Sequence, residues 1–170
     1  RGAAIELLII QPDDGPSRYY RTGSGELSGL SLFEPLFGSR FTPYDLGQPF
    51  LSWPGAELLE PQRQRGRTCE VVKVRNPDPQ APIAHVELWL DREYGAVLRA
   101  DGFNVHGDRA RQLTVTSFRR VDQVWIPRAL SISFYPPGQA LPAAEKSRLE
   151  IYDGDYEADL DPALFDPNRF

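Results

Sequence analysis

The sequence is poor in the residues from which catalytic and metal sites are most often built. Its 170 residues include one cysteine, two histidines and no methionine. Cys69 has no partner for an internal disulfide. A zinc site normally needs three or four protein ligands, and no cysteine or carboxylate lies at ligand spacing from both His85 and His106. We therefore expect a polar strand residue at His85 and a turn residue at His106, rather than a metal pair or a general base.

Other signatures of catalysis are missing as well. Cys69 begins an apolar segment, where an unpaired cysteine usually packs as a small hydrophobic residue rather than acting as a nucleophile. The glycines at positions 23–29 do not have the spacing of a dinucleotide-binding loop. Acidic residues alternate from 153 to 161, but Ala158 and Leu164 stand where a calcium loop needs Gly and Glu. We predict no catalytic residue, no metal ion and no cofactor.

The sequence also lacks a positive net charge and a long apolar run. The net charge of −5 offers no basic field for a phosphate backbone, which argues against nucleic-acid binding. The longest apolar run, at residues 7–10, is far shorter than the roughly 18 residues of a membrane-spanning helix. Because the first residue is not Met, we expect that the sequence starts after a processed or omitted segment, such as a signal peptide.

The composition that remains is that of a globular protein. Hydrophobic residues make up 41% of the chain and charged residues 25%. A chain of this length buries roughly 70% of its unfolded surface, so it needs no disulfide or metal to fold. We predict one domain over residues 1–170.

The N-terminal third combines a predicted hairpin with a short helix. Residues 3–10 and 17–21 are typical of two strands joined by a turn, and the glycines and serines of residues 23–29 predict a flexible link. Further on, Thr42 is a candidate helix N-cap. It is followed by Pro43 at the first helical position and by Asp45, which completes a capping box.

From Arg67 onward the chain alternates between strand patterns and turns. The predicted strands are 68–75, 85–91, 96–105, 111–120, 125–135 and 147–152, with a two-residue turn at 122–123 and a single helical turn at 161–165. This spacing is typical of an antiparallel sheet, sandwich or barrel, so the predicted fold class is mainly β.

Apolar residues alternate with polar ones along two of these strands, which predicts a shared buried or concave face. The six residues are Val86, Leu88, Leu90, Leu130, Ile132 and Phe134. The tryptophans Trp53, Trp89 and Trp125 could line a ligand cavity, although large aromatic residues more commonly anchor a core or a sheet surface.

Several stretches resemble the bacterial outer-membrane lipoprotein-sorting proteins, the LolA-like family. They are LFGSRF at 36–41, GRTCEVV at 66–72, VELWLD at 86–91, FRRV at 118–121 and WIP at 125–127. The resemblance spans residues 36–170, with a weaker match at residues 5–21. The segment between Gly23 and Leu36 is shorter than the family pattern.

The resemblance implies an α+β fold with a strongly curved antiparallel sheet, an unclosed barrel whose concave side holds short helices or loops. It also implies a periplasmic protein that binds the acyl chain of a lipid or lipoprotein without catalysis. The six face residues named above would then line the hydrophobic cavity. Two alternatives stay open: an envelope sensor or adaptor that binds another protein through the same sheet, and an enzyme whose site the sequence does not reveal.

Overall fold

The computed structural model describes residues 6–12, 15–121, 124–136, 145–152 and 161–169. The chain divides into two compact units, one made of Arg1–Pro49 with Glu157–Phe170 and the other of Phe50–Tyr156. Within the described ranges, no helix is both long and apolar enough to cross a membrane. The prediction of one domain over the whole chain stays a prediction.

The first unit contains a three-stranded antiparallel sheet of β1 (Leu7–Ile10), β2 (Arg18–Arg21) and β3 (Gly25–Leu27). The predicted hairpin is confirmed for its described residues. The predicted flexible link at residues 23–29 is wrong, because β3 lies within it. Gly23 and Gly25 both have positive φ and form the tight turn, and Leu27, which pairs with Tyr19, is buried.

The predicted short helix is confirmed as α1 (Pro43–Gly47). Thr42 is its N-cap, and the Asp45 carboxylate accepts hydrogen bonds from both the backbone N–H and the hydroxyl of Thr42, at 2.9 and 2.7 Å. Both residues are almost fully buried, so this capping box is a fixed part of the unit. Gln48, in the left-handed conformation, ends the helix. The described residues also form four 3₁₀ turns, at Gly29–Phe33, Pro49–Ser52, Pro162–Phe165 and Pro167–Arg169.

The second unit is a seven-stranded antiparallel sheet in which every strand pairs with its neighbours in sequence. Its strands are β4 (Glu57–Gln64), β5 (Arg67–Arg75), β6 (His85–Asp91), β7 (Val97–Phe103), β8 (Arg109–Val121), β9 (Val124–Phe134) and β10 (Glu145–Glu150). The predicted meander from Arg67 is confirmed. The predicted turn at 122–123 and the acidic run at 153–160 lie outside the described residues.

The strand β4 was not predicted from the sequence, because it has the composition of an edge strand. It is mostly polar, and its register with β5 shifts between Leu59 and Gln62, around Pro61. Proline and charged side chains are common on edge strands, where they block further pairing. The same features remove the alternation by which internal strands are recognised.

The register of the sheet determines which side chains share a face. Leu88 lies opposite Val72 and Ala100, and the row continues through Leu113 and Ile132. Val86 and Phe134 share an adjacent row, and Leu90 and Leu130 lie two residues along their strands from Leu88 and Ile132, on the same side. We call this side the first face, and the six predicted residues all lie on it. The second face carries the row Val71, Trp89, Arg99, Thr114, Ser131 and Arg148.

The close packing of Gly47 against Tyr19 gives a first prediction. A Cβ at position 47 would lie 2.4 Å from the Cε1 atom of the Tyr19 ring, which is only 2% exposed. Gly47→Ala should therefore lower the free energy of unfolding by about 1–3 kcal/mol, despite alanine's better helix propensity. Urea titration followed by circular dichroism measures this change.

Gly102→Ala is the matched control, because its added Cβ would meet Ile83 at an ordinary 3.4 Å. Equal effects of the two substitutions would show that the contact with Tyr19 is not the cause.

Candidate functional site

The hairpin of β8 and β9 extends well beyond the strand next to it. Pairing between β7 and β8 ends at Arg99 and Thr114, whereas β8 and β9 stay paired as far as Val121 and Val124. We call residues 116–121 and 124–129 the ribbon. Two register shifts at its base, on either side of Ser117, bend it, because each such irregularity kinks a strand and increases its twist.

A long-range hydrogen bond ties the base of the ribbon to the opposite side of the sheet. The Nη1 atom of Arg65, in the turn between β4 and β5, donates to the carbonyl oxygens of Val115 and Thr116 at 3.2 and 3.1 Å. In the sheet order, β6 and β7 lie between β5 and β8. A flat sheet would hold β5 and β8 roughly 14 Å apart. The sheet must therefore curl at this end, around its second face.

A buried apolar cluster lies inside the curl. It consists of Cys69, Val71, Trp89 and Leu98, with Leu59 and Phe118 packed against it. Leu98 reaches it because β7 carries one extra residue between the pairs Trp89–Arg99 and Leu90–Val97. This bulge turns an apolar side chain onto the second face, which is otherwise polar further along β7.

A buried carboxylate holds the polar part of the second face in place. Asp101 accepts hydrogen bonds from Arg99, from Arg109 at 3.0 Å and from Gln112 at 3.0 Å. Arg99 in turn lies over the Trp89 ring, 4.2 Å from its centroid. The indole N–H of Trp89 donates to Gln62 at 3.2 Å. Trp89 is thus fixed on both sides, and it provides a rigid base for the apolar cluster.

An apolar cavity of about 130 Å³ opens at the edge of this cluster. It lies between the turn that joins β6 to β7 and the ribbon. Its lining residues are Arg67, Asp91, Tyr94, Ala96, Leu98, Phe118 and Trp125. Trp125 is 54% exposed and Tyr94 is 56% exposed, so two aromatic side chains stand at the mouth. Exposed aromatic rings beside an apolar cavity are a common feature of binding sites.

The one ion pair in the cavity wall is satisfied. Arg67 donates to Asp91 at 2.9 Å, and the other Asp91 oxygen accepts from the backbone N–H groups of Glu93 and Tyr94. Burial raises the pKa of Asp91, but these hydrogen bonds and the Arg67 charge outweigh it and hold the pKa below its ordinary value. Asp91 is therefore a structural anion that closes the turn, not a proton donor near neutral pH.

The six residues predicted to line a cavity do lie together, but elsewhere. They share the first face; Val86, Leu88, Leu130 and Ile132 are at most 6% exposed, and Leu90 and Phe134 are half-buried. None of the six lines the cavity on the second face. Their role as ligand contacts stays a prediction.

The candidate catalytic residues are not brought together. Burial raises the pKa of the Cys69 thiol, which favours its neutral form. His85 lies six residues from Asp91, the strand partner of Cys69, which is roughly 20 Å along β6. Burial and the charges of Lys73 and Arg75 lower the pKa of His85. Across the described ranges, no three His, Cys, Asp or Glu side chains are grouped so that they could hold a metal ion.

The three tryptophans differ in their environments. Trp89 is a core residue, as large strand aromatics commonly are, and Trp53 is half-buried beside Phe50. Trp125 lines the cavity, so it is the one cavity residue that sequence reasoning had singled out for binding. The other lining residues come from separate strands and turns, and no local pattern connects them.

Comparisons with known proteins agree on the fold. A family model described as "Uncharacterized protein" matches residues 24–170. No curated protein matches the chain. A candidate outer membrane lipoprotein-sorting protein domain from Vibrio parahaemolyticus has a TM-score of 0.77 at 18% identity, over 95% of this chain and 69% of that one.

Two further solved structures are similar. A DUF1329 family protein from Desulfovibrio piger has a TM-score of 0.75 at 15% identity, with 95% and 69% of the two chains covered. A LolA superfamily protein from Nitrosomonas europaea has a TM-score of 0.64 at 14% identity, with 98% and 89% covered. The chain therefore has the LolA-like fold, a mainly antiparallel sheet that does not close, and the resemblance inferred from the sequence is confirmed at that level.

The Asp91 carboxylate gives a second prediction. Asp91→Asn keeps an acceptor for the turn but removes the charge that faces Arg67. A carboxylate whose folded pKa is depressed stabilises the fold above its unfolded pKa of about 4, and this contribution is lost as pH falls through the lower folded pKa. The variant should therefore be less stable than the parent at pH 7, and the difference should shrink below about pH 4.

Urea titrations across this pH range measure the effect. Asp108→Asn removes the same charge from the exposed turn between β7 and β8, away from Arg67, and is the control. A stability difference for Asp91→Asn that is the same at pH 7 and pH 3 would contradict the charge argument.

Proposed function

Because the chain belongs to the family whose model matches residues 24–170 and has the LolA-like fold, we propose that it binds hydrophobic acyl chains in the bacterial envelope, without catalysis. The observation that carries the proposal is the open apolar cavity under the ribbon, with Trp125 exposed at its mouth. The ligand would be a lipid or the acyl chain of a lipoprotein, and the compartment would be the periplasm.

The volume of the cavity limits how such a ligand would bind. A cavity of about 150 Å³ holds one benzene ring, so 130 Å³ accepts the end of an alkyl chain rather than its full length. The remaining methylenes would lie against Trp125 and Tyr94. Each buried methylene contributes about 0.8 kcal/mol before ordering costs, so even a short inserted segment gives measurable affinity.

The six residues of the first face stay a second proposed contact surface. Leu90 and Phe134 are the two that a chain would reach without displacing a neighbour, because the other four are buried. A ligand that contacted all six residues would require the four buried side chains to become accessible. The cavity on the second face needs no such change, which is why we place the primary site there.

Binding of another envelope protein is a second candidate function, and the small volume of the cavity favours it. A cavity of this size also fits one apolar side chain of a partner, and an exposed tryptophan beside it is typical of an interface hot spot. Native mass spectrometry after gentle purification separates the two functions. A bound lipid supports the carrier, and a stoichiometric protein supports the adaptor.

Filling the cavity gives the third prediction. Ala96 is half-buried in its lining, and Ala96→Phe would place a ring in the space that the chain end occupies. We expect at least a tenfold loss in affinity for a fluorescent fatty-acid probe, since roughly two methylenes' worth of burial is worth that much. Probe titration of the folded variant measures it.

Val105→Phe is the matched control, because Val105 is 65% exposed in the turn at the opposite end of β7. Leu90→Glu and Phe134→Glu test the first face in the same assay. A parent protein without saturable binding would contradict the carrier function. If it binds and only the first-face variants lose affinity, the site lies on the first face.

A further inference from the structure

The ribbon has a composition unlike the rest of the chain. Residues 116–129 contain three arginines and one carboxylate, a net charge of +2 in a protein of net charge −5. The arginines are Arg119, Arg120 and Arg128. Outside the turn at residues 122–123, the remaining large side chains of this stretch are apolar, namely Phe118, Val121, Val124, Trp125, Ile126 and Pro127.

Much of this apolar surface is accessible. Trp125 is 54% exposed, and Val121, Val124 and Ile126 are half-buried although the ribbon protrudes. Tyr152, which is 85% exposed, lies beside the ribbon, because its carbonyl oxygen accepts a hydrogen bond from Arg119 at 2.9 Å. Tryptophan and tyrosine favour the boundary between water and lipid, where the ring is partly apolar and its polar group stays hydrated.

Two of the arginines lie close to these aromatic rings in the register of the ribbon. Arg120 pairs with Trp125 in the register of the ribbon, and Arg128 is the extra residue of β9 between Ala129 and Pro127. Both residues are exposed. Glu150, the partner of Ala129 on β10, is hydrogen-bonded to Arg148 at 2.8 Å, and the charge of Arg128 also acts on it. The ribbon thus presents a basic surface beside exposed aromatic rings.

We propose that the ribbon docks the protein onto an anionic phospholipid surface, with Trp125 and Tyr152 at the interface and Arg120 and Arg128 against the phosphate groups. The occupant follows from charge complementarity, since arginine favours anionic head groups and the rest of the protein is acidic. The inference rests on the proposed function. Phe118 and Trp125 belong both to the ribbon and to the cavity lining, so docking would bring the cavity mouth to the lipid.

The test is cosedimentation of the full chain with vesicles. Vesicles of phosphatidylcholine and phosphatidylglycerol in equal parts should bind the protein, and vesicles of phosphatidylcholine alone should bind it much less. Added salt should weaken the binding, because the attraction to exposed charges is screened. The double variant Arg120→Gln with Arg128→Gln should bind roughly 25-fold more weakly, since each arginine near the surface contributes about a fivefold effect.

The matched control removes the same charge from the other end of the sheet. Arg75→Gln with Lys146→Gln changes two exposed cations at the ends of β5 and β10 that lie away from the ribbon. It should leave vesicle binding unchanged. Equal losses for the two double variants would mean that net charge alone governs binding, and would overturn the proposal. So would an absence of binding to the anionic vesicles.

Tryptophan emission gives an independent readout. On binding, the emission should shift to shorter wavelength in the parent and not in Trp125→Phe, because Trp89 is already buried and Trp53 lies outside the ribbon. A stoichiometric protein bound through Arg120 and Arg128, with no vesicle binding, would assign the ribbon to a protein partner and overturn the proposal.

Two variants separate this inference from the proposed function. Ala96→Phe should weaken binding of the soluble fatty-acid probe and leave vesicle binding unchanged. The double variant Arg120→Gln with Arg128→Gln should leave binding of the probe unchanged and weaken binding to the vesicles. Loss of both activities in both variants would mean that the ribbon and the cavity are one site and would overturn docking as a separate contact.

Discussion

The bend at the base of the ribbon is the constraint on which the cavity depends. Two register shifts around Ser117 turn the ribbon, and Arg65 fixes its base to the turn between β4 and β5 through two backbone carbonyls. A regular hairpin would continue straight past the end of β7 and leave Phe118 and Leu98 apart. The cavity is therefore a product of strand irregularity, and bulges commonly play this part next to functional sites.

The two faces of the sheet differ in the side chains that they carry. The first face is apolar along its central row from Val72 to Ile132, so its burial follows from simple alternation. The second face is polar at one end, where Asp101 gathers Arg99, Arg109 and Gln112, and apolar at the other, where Cys69, Val71 and Leu98 meet Trp89. Arg99 belongs to both ends, because it binds Asp101 and lies over Trp89. The apolar cluster thus has a polar boundary that the Asp101 carboxylate holds together, and this limits how far the cavity extends.

The sequence predicted what short-range rules determine. The helix α1 followed from Thr42, Pro43 and Asp45, whose interactions span three residues. The strands from β5 to β10 followed from alternation and turn residues. The strands β3 and β4 were missed because glycine in one and Pro61 in the other mask the strand pattern. The cavity could not be predicted for a different reason. Its walls come from five strands, β5 to β9, and from the turn between β6 and β7, and the bulge that turns Leu98 inward has no local signature.

This contrast explains why the expected ligand surface and the observed cavity differ. Alternation identifies side chains that leave water, and four of the six residues that it selected are buried so completely that they have little surface left for a ligand. A binding surface has the opposite property: it must stay apolar while remaining accessible, which costs stability unless function requires it. Trp125 meets that condition, since it is a large aromatic side chain on a protruding hairpin, more than half exposed and beside an apolar cavity. In a sheet of this kind, the side chains that break the alternation or remain exposed are better guides to a ligand than the buried row itself.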